Sequence, residues 1–268
     1  MASQRVGLHH PRVRQVLSLA RNGAADDHLL VAEGVWAHEM LARAGTLVET
    51  FLWCPDICRS DRVRDCAERM SAMAETAYEI SPKVLARLTA RARPDGLISV
   101  ARLPRWDAAD VPVDESSLVL VVDGIEYAGN LGTLIRTADA CHADCLLVTS
   151  RQVRLTHPRV FVASRGTVLT TPIVEFPGSA QAAEWLESRG FEIFLADPQA
   201  TLTYRACGFR RGPTAVVVGS EGQGLPPQWY DRKVTAVSIP MLGTADSLNV
   251  SVSAAILLYE ARAAKAGW

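Results

Sequence analysis

Three segments of this sequence place polar side chains directly after short apolar runs. The first contains Asn130 and Arg136, the second Glu221, and the third Ser247 and Asn249. Amide, hydroxyl and carboxylate groups can orient a ligand, and a guanidinium can stabilise negative charge that develops during a reaction. The sequence therefore predicts a binding or catalytic site that is assembled from three loops.

The first segment reads VLVVDGIEYAGNLGTLIRTADACHA and spans residues 119–143. Its glycines lead into a helical pattern that Asn130 is expected to cap, and a capped helix start offers free N–H groups to an anion. Arg136 is expected on an apolar helix face beside Leu134, Ile135 and Ala138, where a guanidinium needs a partner. The glycine spacings of dinucleotide sites and P-loops are absent, and an ordinary strand-loop-helix joint is the alternative interpretation.

The second segment, AVVVGSEGQGLPPQW at 215–229, has three glycines immediately after an apolar run. Gly219, Gly222 and Gly224 predict a tight excursion of the backbone or a close approach to a ligand. A carboxylate at Glu221 disfavours a polyphosphate and favours an uncharged or cationic ligand. The alternative is a tight turn with an exposed glutamate.

The third segment is SIPMLGTADSLNVSVSAAILLYEARAAKA at 238–266. Ile239 and Met241 follow an apolar run, and Ser247, Leu248 and Asn249 precede a helical pattern. Serine and asparagine compete with helical hydrogen bonds unless they cap the helix or contact another group. A simple helix cap is the alternative to a ligand site.

The elements that carry these segments follow from hydrophobic periodicity. Beyond residue 110, six short apolar runs alternate with helical patterns, which predicts a largely parallel sheet covered by helices on both faces. Ligands of such sheets bind at the carboxyl ends of the strands, where all three segments lie. The stretch RLPRWDAADVPVDESS (102–117) is typical of a linker, and the residues before it form a second α/β pattern. We therefore expect domains at 1–110 and 111–268.

Composition limits the classes of protein that need to be considered. A hydrophobic content of 49% with 21% charged residues indicates a globular protein, and no apolar run reaches the length of a membrane span. The six cysteines lack zinc-knuckle spacing, so we expect idle thiols in a reducing cytoplasm and no metal. Three arginine-rich runs, within 1–25, 83–105 and 151–165, fit either solvated surface or phosphate contact, and three together fit phosphate contact better than one would. The candidate RNA contacts in these runs are Arg87, Arg91, Arg93 and Arg165.

The order N-L-G-x-x-x-R-T, G-S-E-G-x-G-L and I-P-M followed by S-L-N-V-S resembles the three signature motifs of TrmH-type SPOUT RNA methyltransferases. The resemblance covers roughly residues 117–265, and Gly129 stands where many members have proline. The ASRG at 163–166 and the module ahead of the motifs resemble the 23S ribosomal-RNA enzymes, including the thiopeptide-resistance methylases. The resemblance implies an α/β protein with a C-terminal trefoil knot and an N-terminal ribosomal-protein-like RNA-binding domain. It also implies S-adenosylmethionine as cofactor and a homodimer with the active site near the subunit interface.

The resemblance assigns roles to the residues of the three segments. Arg136 is expected nearest the ribose 2′-oxygen, in an electrostatic role because arginine is a poor base in water. The other residues expected to take part in catalysis are Asn130, Glu221, Ser247 and Asn249. The expected cofactor contacts are Gly219, Glu221, Gly222, Ile239, Met241, Ser247, Leu248 and Asn249.

The expected activity is transfer of a methyl group from S-adenosylmethionine to a ribose 2′-hydroxyl. The expected substrate is 23S ribosomal RNA. Housekeeping and antibiotic resistance are both open as the role of that methylation. Transfer RNA is the alternative substrate, although family enzymes that act on the D-loop usually lack a full N-terminal α/β domain. A non-catalytic RNA-binding or ribosome-assembly protein and an NADP-dependent oxidoreductase are the other classes, and neither explains all three motifs.

Overall fold

The computed structural model describes residues 4–22, 28–209 and 212–267, which form two compact units. The first unit runs up to Pro104 and includes Leu155–Pro158, and the second holds Arg105–Arg154 and the chain from Arg159 onward. The linker composition predicts the border at residue 110, a few residues later than the contacts place it. Within the described ranges, no helix has both the length and the apolar character that crossing a bilayer requires.

The first unit is a five-stranded mixed sheet with helices, in the strand order β1-β4-β3-β5-β2. Its elements in chain order are β1 (Arg5–Val6), α1 (Pro11–Asn22), β2 (Leu29–Glu33), α2 (Val35–Ala44), β3 (Val48–Trp53), α3 (Asp61–Met73), β4 (Ala77–Ile80), α4 (Pro82–Leu88) and β5 (Leu97–Arg102). The start of α4 is capped, since the Ser81 side chain accepts a hydrogen bond from the N–H of Val84 and Pro82 occupies the first turn. The short strands β1 and β4 were not expected, because neither shows a readable alternation.

A buried histidine lies in α2 of the first unit. The ring of His38 has no exposed surface, and its Nδ1 lies 2.8 Å from the carbonyl oxygen of Gly34. A carbonyl can only accept, so Nδ1 carries the proton, and Nε2 of the neutral ring accepts from the Ser99 hydroxyl at 2.9 Å. Burial lowers the pKa of His38 to about 4.

This depressed pKa predicts that acid weakens the first unit before most carboxylates titrate. The unfolded chain takes up the proton near the ordinary histidine pKa of about 6.5, whereas the folded chain does so near 4. The contribution is therefore complete above pH 6.5 and is lost as the pH falls towards 4. Urea unfolding should show about 2 kcal/mol less stability at pH 5 than at pH 7. The His38→Gln variant should lack this difference, and an unchanged pH dependence in that variant would contradict the assignment.

The second unit contains a six-stranded sheet in which every neighbouring pair is parallel, in the order β11-β9-β10-β6-β7-β8. Its elements are β6 (Leu118–Asp123), α5 (Ala128–Ala140), β7 (Cys145–Thr149), α6 (Pro158–Ala163), β8 (Ile173–Phe176), α7 (Ser179–Ser188), β9 (Glu192–Ala196), β10 (Thr214–Val218), β11 (Val234–Val237) and α8 (Val250–Ala266). Every residue of β6, β7 and β10 is buried, as continuous apolar strands in a covered parallel sheet must be. The predicted parallel α/β arrangement of this part of the chain is confirmed.

The cysteines of both units are packing residues in this structure. All six are free thiols, and only Cys207 is not fully buried. Burial raises the pKa of Cys58 to about 11 and that of Cys145 to about 12, which keeps both in the unreactive thiol form at neutral pH.

Candidate active site

A cavity of about 340 Å³ opens in the second unit at the carboxyl ends of β9, β10 and β11. Two of the three polar segments predicted from the sequence line it, and the first segment is tied to them by hydrogen bonds. The lining residues are Ala196, Asp197, Pro198, Val218, Gly219, Ser220, Glu221, Gly224, Val237, Ile239, Met241, Ser247, Leu248, Asn249, Val250, Ser253 and Leu257.

The loop after β10 turns back on itself directly at the cavity. The N–H of Gly224 donates to the carbonyl of Ser220 at 3.0 Å, and Gly224 has a φ of +68°. A Cβ atom on Gly219 would lie 2.3 Å from the carbonyl oxygen of Gly224, so only glycine fits there. Gly222 is exposed with open space around it and does not line the cavity, although the sequence placed it among the cofactor contacts.

The start of α8 combines a helix cap with a contact to another loop. Asn249 is the N-cap, and its Oδ1 accepts from the N–H of Ser251 at 3.0 Å. Its Nδ2 also donates to Oδ1 of Asn130 at 3.3 Å. The Ser251 hydroxyl donates to the carbonyl of Asn130 at 3.2 Å. Asn249 is therefore a helix cap that also lines the cavity, and its role in ligand binding stays a prediction.

The expectation that Asn130 caps the helix of the first segment is wrong. The N-cap of α5 is Tyr127, and Asn130 lies inside the first turn. The helix begins earlier than the glycines indicate, which leaves the Asn130 side chain available to other loops. Its Nδ2 donates to Oε1 of Glu221, while its Oδ1 accepts from Asn249. One amide thus joins the loops that follow β6, β10 and β11.

The expectation that Arg136 lies on the apolar face of its helix is also wrong. Leu134, Ile135 and Ala138 are buried, but Arg136 is exposed on the opposite side of α5. Its guanidinium therefore remains in contact with solvent and needs no partner inside the protein. Arg136 does not line the cavity, so within one chain the structure does not bring it to the candidate cofactor contacts.

A buried carboxylate fixes the segment that follows the glycine loop. Asp123, at the end of β6, is only 3% exposed. Its Oδ2 accepts from the Ser179 hydroxyl at 2.6 Å and from the indole N–H of Trp229 at 2.7 Å. These two donors satisfy a charge that would otherwise be costly to bury. Asp123 follows an apolar run in the sequence, but no local pattern indicates Trp229 as its partner.

The ionisable side chains that line the cavity are all acidic within the described residues. Among the described lining residues there are two carboxylates, Asp197 and Glu221, and no lysine, arginine or histidine. A phosphate group would be repelled in such a site, whereas a cation or a hydroxyl donor would be accepted. Asp197 was missed by the sequence reasoning, and the signal for it was its position directly after an apolar strand, in Ala-Asp-Pro.

The arginines predicted to contact RNA are exposed and lie in both units. Arg87, Arg91 and Arg93 belong to α4 and the following loop of the first unit, and Nε of Arg91 is 3.8 Å from Oε1 of Glu33. Arg165 is exposed in the second unit and has a φ of +56°, which is unusual for a residue other than glycine.

The family model of the SpoU rRNA methylases matches residues 117–259. An uncharacterized tRNA/rRNA methyltransferase of Synechocystis sp. is 33% identical over 196 residues, which are 73% of this chain and 70% of that protein. The 23S rRNA (uridine(2479)-2′-O)-methyltransferase of Streptomyces viridochromogenes is 32% identical over 173 residues, which are 63% of this chain and 60% of that protein.

Two solved structures show how far the similarity extends along the chain. The SpoU methyltransferase AviRb of S. viridochromogenes, in complex with the cofactor AdoMet, has a TM-score of 0.83 at 27% identity and covers 94% of this chain and 97% of its own. The TrmH/SpoU tRNA modifying enzyme of A. aeolicus has a TM-score of 0.52 at 27% identity and covers 57% of this chain and 77% of its own. With its three site loops inside the matched residues, the chain belongs to the SpoU rRNA methylase family and is an RNA methyltransferase.

Proposed function

We propose that this protein transfers the methyl group of S-adenosylmethionine to a ribose 2′-hydroxyl of RNA. The observation that carries the proposal is the cavity after β9, β10 and β11, whose described lining has two carboxylates and no cationic side chain. Its volume of about 340 Å³ is in the range of small-molecule sites. Apolar residues such as Ile239, Leu248 and Leu257 can pack against a purine ring, while the carboxylates tolerate a sulfonium.

The residues present fit the cofactor, which when bound supplies an electrophilic methyl group on a sulfonium. Gly219, Ile239, Met241 and Leu248 would hold its adenosine and methionine parts, and Glu221 would lie near its positive charge. The hydrogen bonds of Asn130 to Glu221 and to Asn249 keep the three loops in one arrangement. Transfer to a hydroxyl is an in-line displacement, so such positioning supplies much of the rate. Arg136 would stabilise the alkoxide that develops on the ribose.

Equilibrium dialysis with labelled S-adenosylmethionine and with NADPH tests the cofactor. We expect binding of the first and none of the second, because the pyrophosphate of NADPH would lie against Asp197 and Glu221. Binding of NADPH alone would overturn the proposal and support an oxidoreductase.

For the substrate we propose 23S ribosomal RNA. One relative is named for that substrate, and the AviRb structure aligns with 94% of this chain, whereas the tRNA modifying enzyme aligns with 57%. An additional RNA-binding unit suits a large folded substrate. Purified enzyme should methylate deproteinised 23S ribosomal RNA and leave transfer RNA unmodified. The reverse pattern would remove the substrate assignment and leave the reaction type intact.

The first unit is proposed to hold the RNA through the exposed arginines that follow α4. Within the described residues neither Arg87 nor Arg93 has an ion-pair partner, whereas Arg91 is near Glu33. Phosphate contacts by unpaired guanidinium groups release counterions, which makes binding weaken steeply as salt is added.

Replacing both Arg87 and Arg93 with alanine should therefore flatten the salt dependence of RNA binding. We expect the slope of log K against log salt to fall by about two units, or about one for each lost phosphate contact. The matched control is the double change of Arg62 and Arg64, which removes the same charge. Both of these arginines are already paired, with Glu39 and Asp61. Equal flattening in the control would show a general charge effect and contradict the assigned surface.

We further propose a trefoil knot in the second unit and a homodimer. The support for the knot is family membership together with the meeting of the 219–225 and 239–249 loops at one cavity. The support for the dimer is the outer face of α8, where Val252 and Tyr259 are 47% and 42% exposed at helical spacing with the half-buried Ile256 between them.

A charge on this face of α8 should separate the subunits. We expect Tyr259→Asp to shift the protein from dimer to monomer in sedimentation analysis and to lower methyl transfer at least tenfold. The control is Glu126→Gln, a change at an exposed loop position that precedes α5. A Tyr259→Asp monomer with full activity would contradict the proposal that the active site needs two subunits.

A further inference from the structure

The two aromatic residues that follow the glycine loop hold it on both sides. Trp229 donates its indole N–H to Asp123 at the end of β6, and Tyr230 donates its hydroxyl to Oδ2 of Asp197 just beyond β9, at 2.9 Å. Because β10 lies between β6 and β9 in the sheet, the loop after β10 is tied to both neighbouring strands. Of the two carboxylates, Asp123 is buried, whereas Asp197 lines the cavity.

The carboxylate of Asp197 is held in place by its surroundings. Its N–H donates to the carbonyl of Val237 at 3.0 Å, which fixes the backbone between β9 and β11. Its Oδ1 accepts from the N–H of Gln199 at 2.8 Å, and its Oδ2 accepts from Tyr230. Burial and Asp197 itself raise the pKa of Tyr230 to about 12, so the hydroxyl keeps its proton at neutral pH. An ionised carboxylate has about four acceptor sites, which leaves capacity for donors from a ligand.

The position of Asp197 indicates which part of the ligand it meets. Glu221 accepts a hydrogen bond from Asn130 of α5, and Asn130 in turn accepts one from Asn249, so Glu221 lies on the α5 side of the cavity, where methyl transfer is proposed. Asp197 follows β9, which is separated from β6 by β10. A ligand whose sulfonium lies on the Glu221 side meets Asp197 with one of its two ends, the ribose of the adenosine or the amino-acid part. Paired ribose hydroxyls are donors that a carboxylate binds well, as in dinucleotide sites.

We propose that Asp197 binds the ribose hydroxyls of the adenosine part of S-adenosylmethionine, with Tyr230 as a positioning residue. The assignment rests on the proposed cofactor and adds a specificity determinant to that site. A cofactor analogue without donors on the ribose would lose this contact, and a phosphorylated ribose would be repelled.

Calorimetric titration of the full-length protein with two probes tests the assignment. S-adenosylhomocysteine carries the amino-acid part, whereas 5′-methylthioadenosine lacks it and keeps the ribose. Asp197→Asn should weaken both by a similar factor of about ten, as expected for loss of hydrogen bonds to a charged group. Tyr230→Phe removes only the orienting hydroxyl and should weaken both about threefold. Asp231→Asn, the same change at an exposed carboxylate that does not line the cavity, should bind both probes like the unaltered protein.

Each of the other results would overturn the assignment. Full affinity of Asp197→Asn for both probes would show that the carboxylate has no role in binding. A loss limited to S-adenosylhomocysteine would place Asp197 against the amino-acid part. If the unaltered protein binds neither probe, the proposed cofactor is wrong and the assignment falls with it. The titration of the unaltered protein distinguishes this outcome from the first two, in which that protein binds both probes.

Discussion

Replacing Arg136 with alanine is expected to lower the rate of methyl transfer at least about 100-fold and to leave the affinity for S-adenosylmethionine unchanged. Removal of one group that stabilises developing negative charge commonly costs this much in rate. Affinity should survive because Arg136 is exposed on α5 and does not line the cavity. The two quantities are measured by calorimetry and by transfer of labelled methyl groups. Asp139→Ala, a substitution at an exposed position of the same helix, serves as the control and should retain activity.

A loss of cofactor affinity as severe as the loss of rate would remove Arg136 from this role. A mixing experiment then tests where Arg136 acts. If Arg136 of one subunit serves the cavity of the other, mixed dimers of the Arg136→Ala and Gly219→Ala proteins contain one intact site and regain activity. If both residues serve the site of their own chain, each mixed dimer has two defective sites and stays inactive.

Gly219→Ala is expected to weaken binding of S-adenosylmethionine by at least about tenfold. The added Cβ would lie 2.3 Å from the carbonyl oxygen of Gly224 and 2.7 Å from the N of Leu225, and both are backbone atoms that cannot rotate away. Forcing the loop open should cost about 1.4–3 kcal/mol, which is about a 10- to 150-fold change in an equilibrium constant. Calorimetric titration with S-adenosylmethionine measures the change directly.

Gly222→Ala is the matched control in the same loop. A Cβ at Gly222 meets no atom within 4 Å, and the residue has no positive φ, so the substitution should leave affinity within about twofold. Equal losses in both variants would mean that any alanine in the loop is harmful and that the Gly219–Gly224 contact is not the cause. Normal affinity of Gly219→Ala would show that the cavity is not the cofactor site.

The sequence predicted the parts of the fold in which local pattern and burial agree. Continuous apolar runs such as Leu118–Val122 are typical of covered parallel sheets, and a serine followed by proline, as at Ser81-Pro82, is typical of a helix start. The strands β1 and β4 escaped prediction because strands of two and four residues carry too little alternation. Their pairing is decided by tertiary contacts, which a local pattern does not contain.

Within the candidate site, residue types were easier to predict than partners. The order of the loops in a parallel sheet brings Asn130, Glu221 and Asn249 together, but which amide bonds which carboxylate depends on where α5 begins. The exposed position of Arg136 depends on the rotation of α5 against the sheet, and its leucine and isoleucine neighbours gave the wrong face. Asp197 carries the same strand-end signal as the three segments, but its hydrogen bond from Tyr230 depends on a tertiary contact that no local pattern contains.

Identification of the methylated nucleoside tests the central claim most directly. Purified protein is incubated with S-adenosylmethionine carrying a labelled methyl group and with deproteinised 23S ribosomal RNA, and the RNA is digested to nucleosides and analysed by mass spectrometry. The account predicts a single labelled product whose methyl group remains on the sugar fragment, and no such product with the Arg136→Ala protein. A labelled methyl group on the base, or no transfer from S-adenosylmethionine to any RNA, would contradict it.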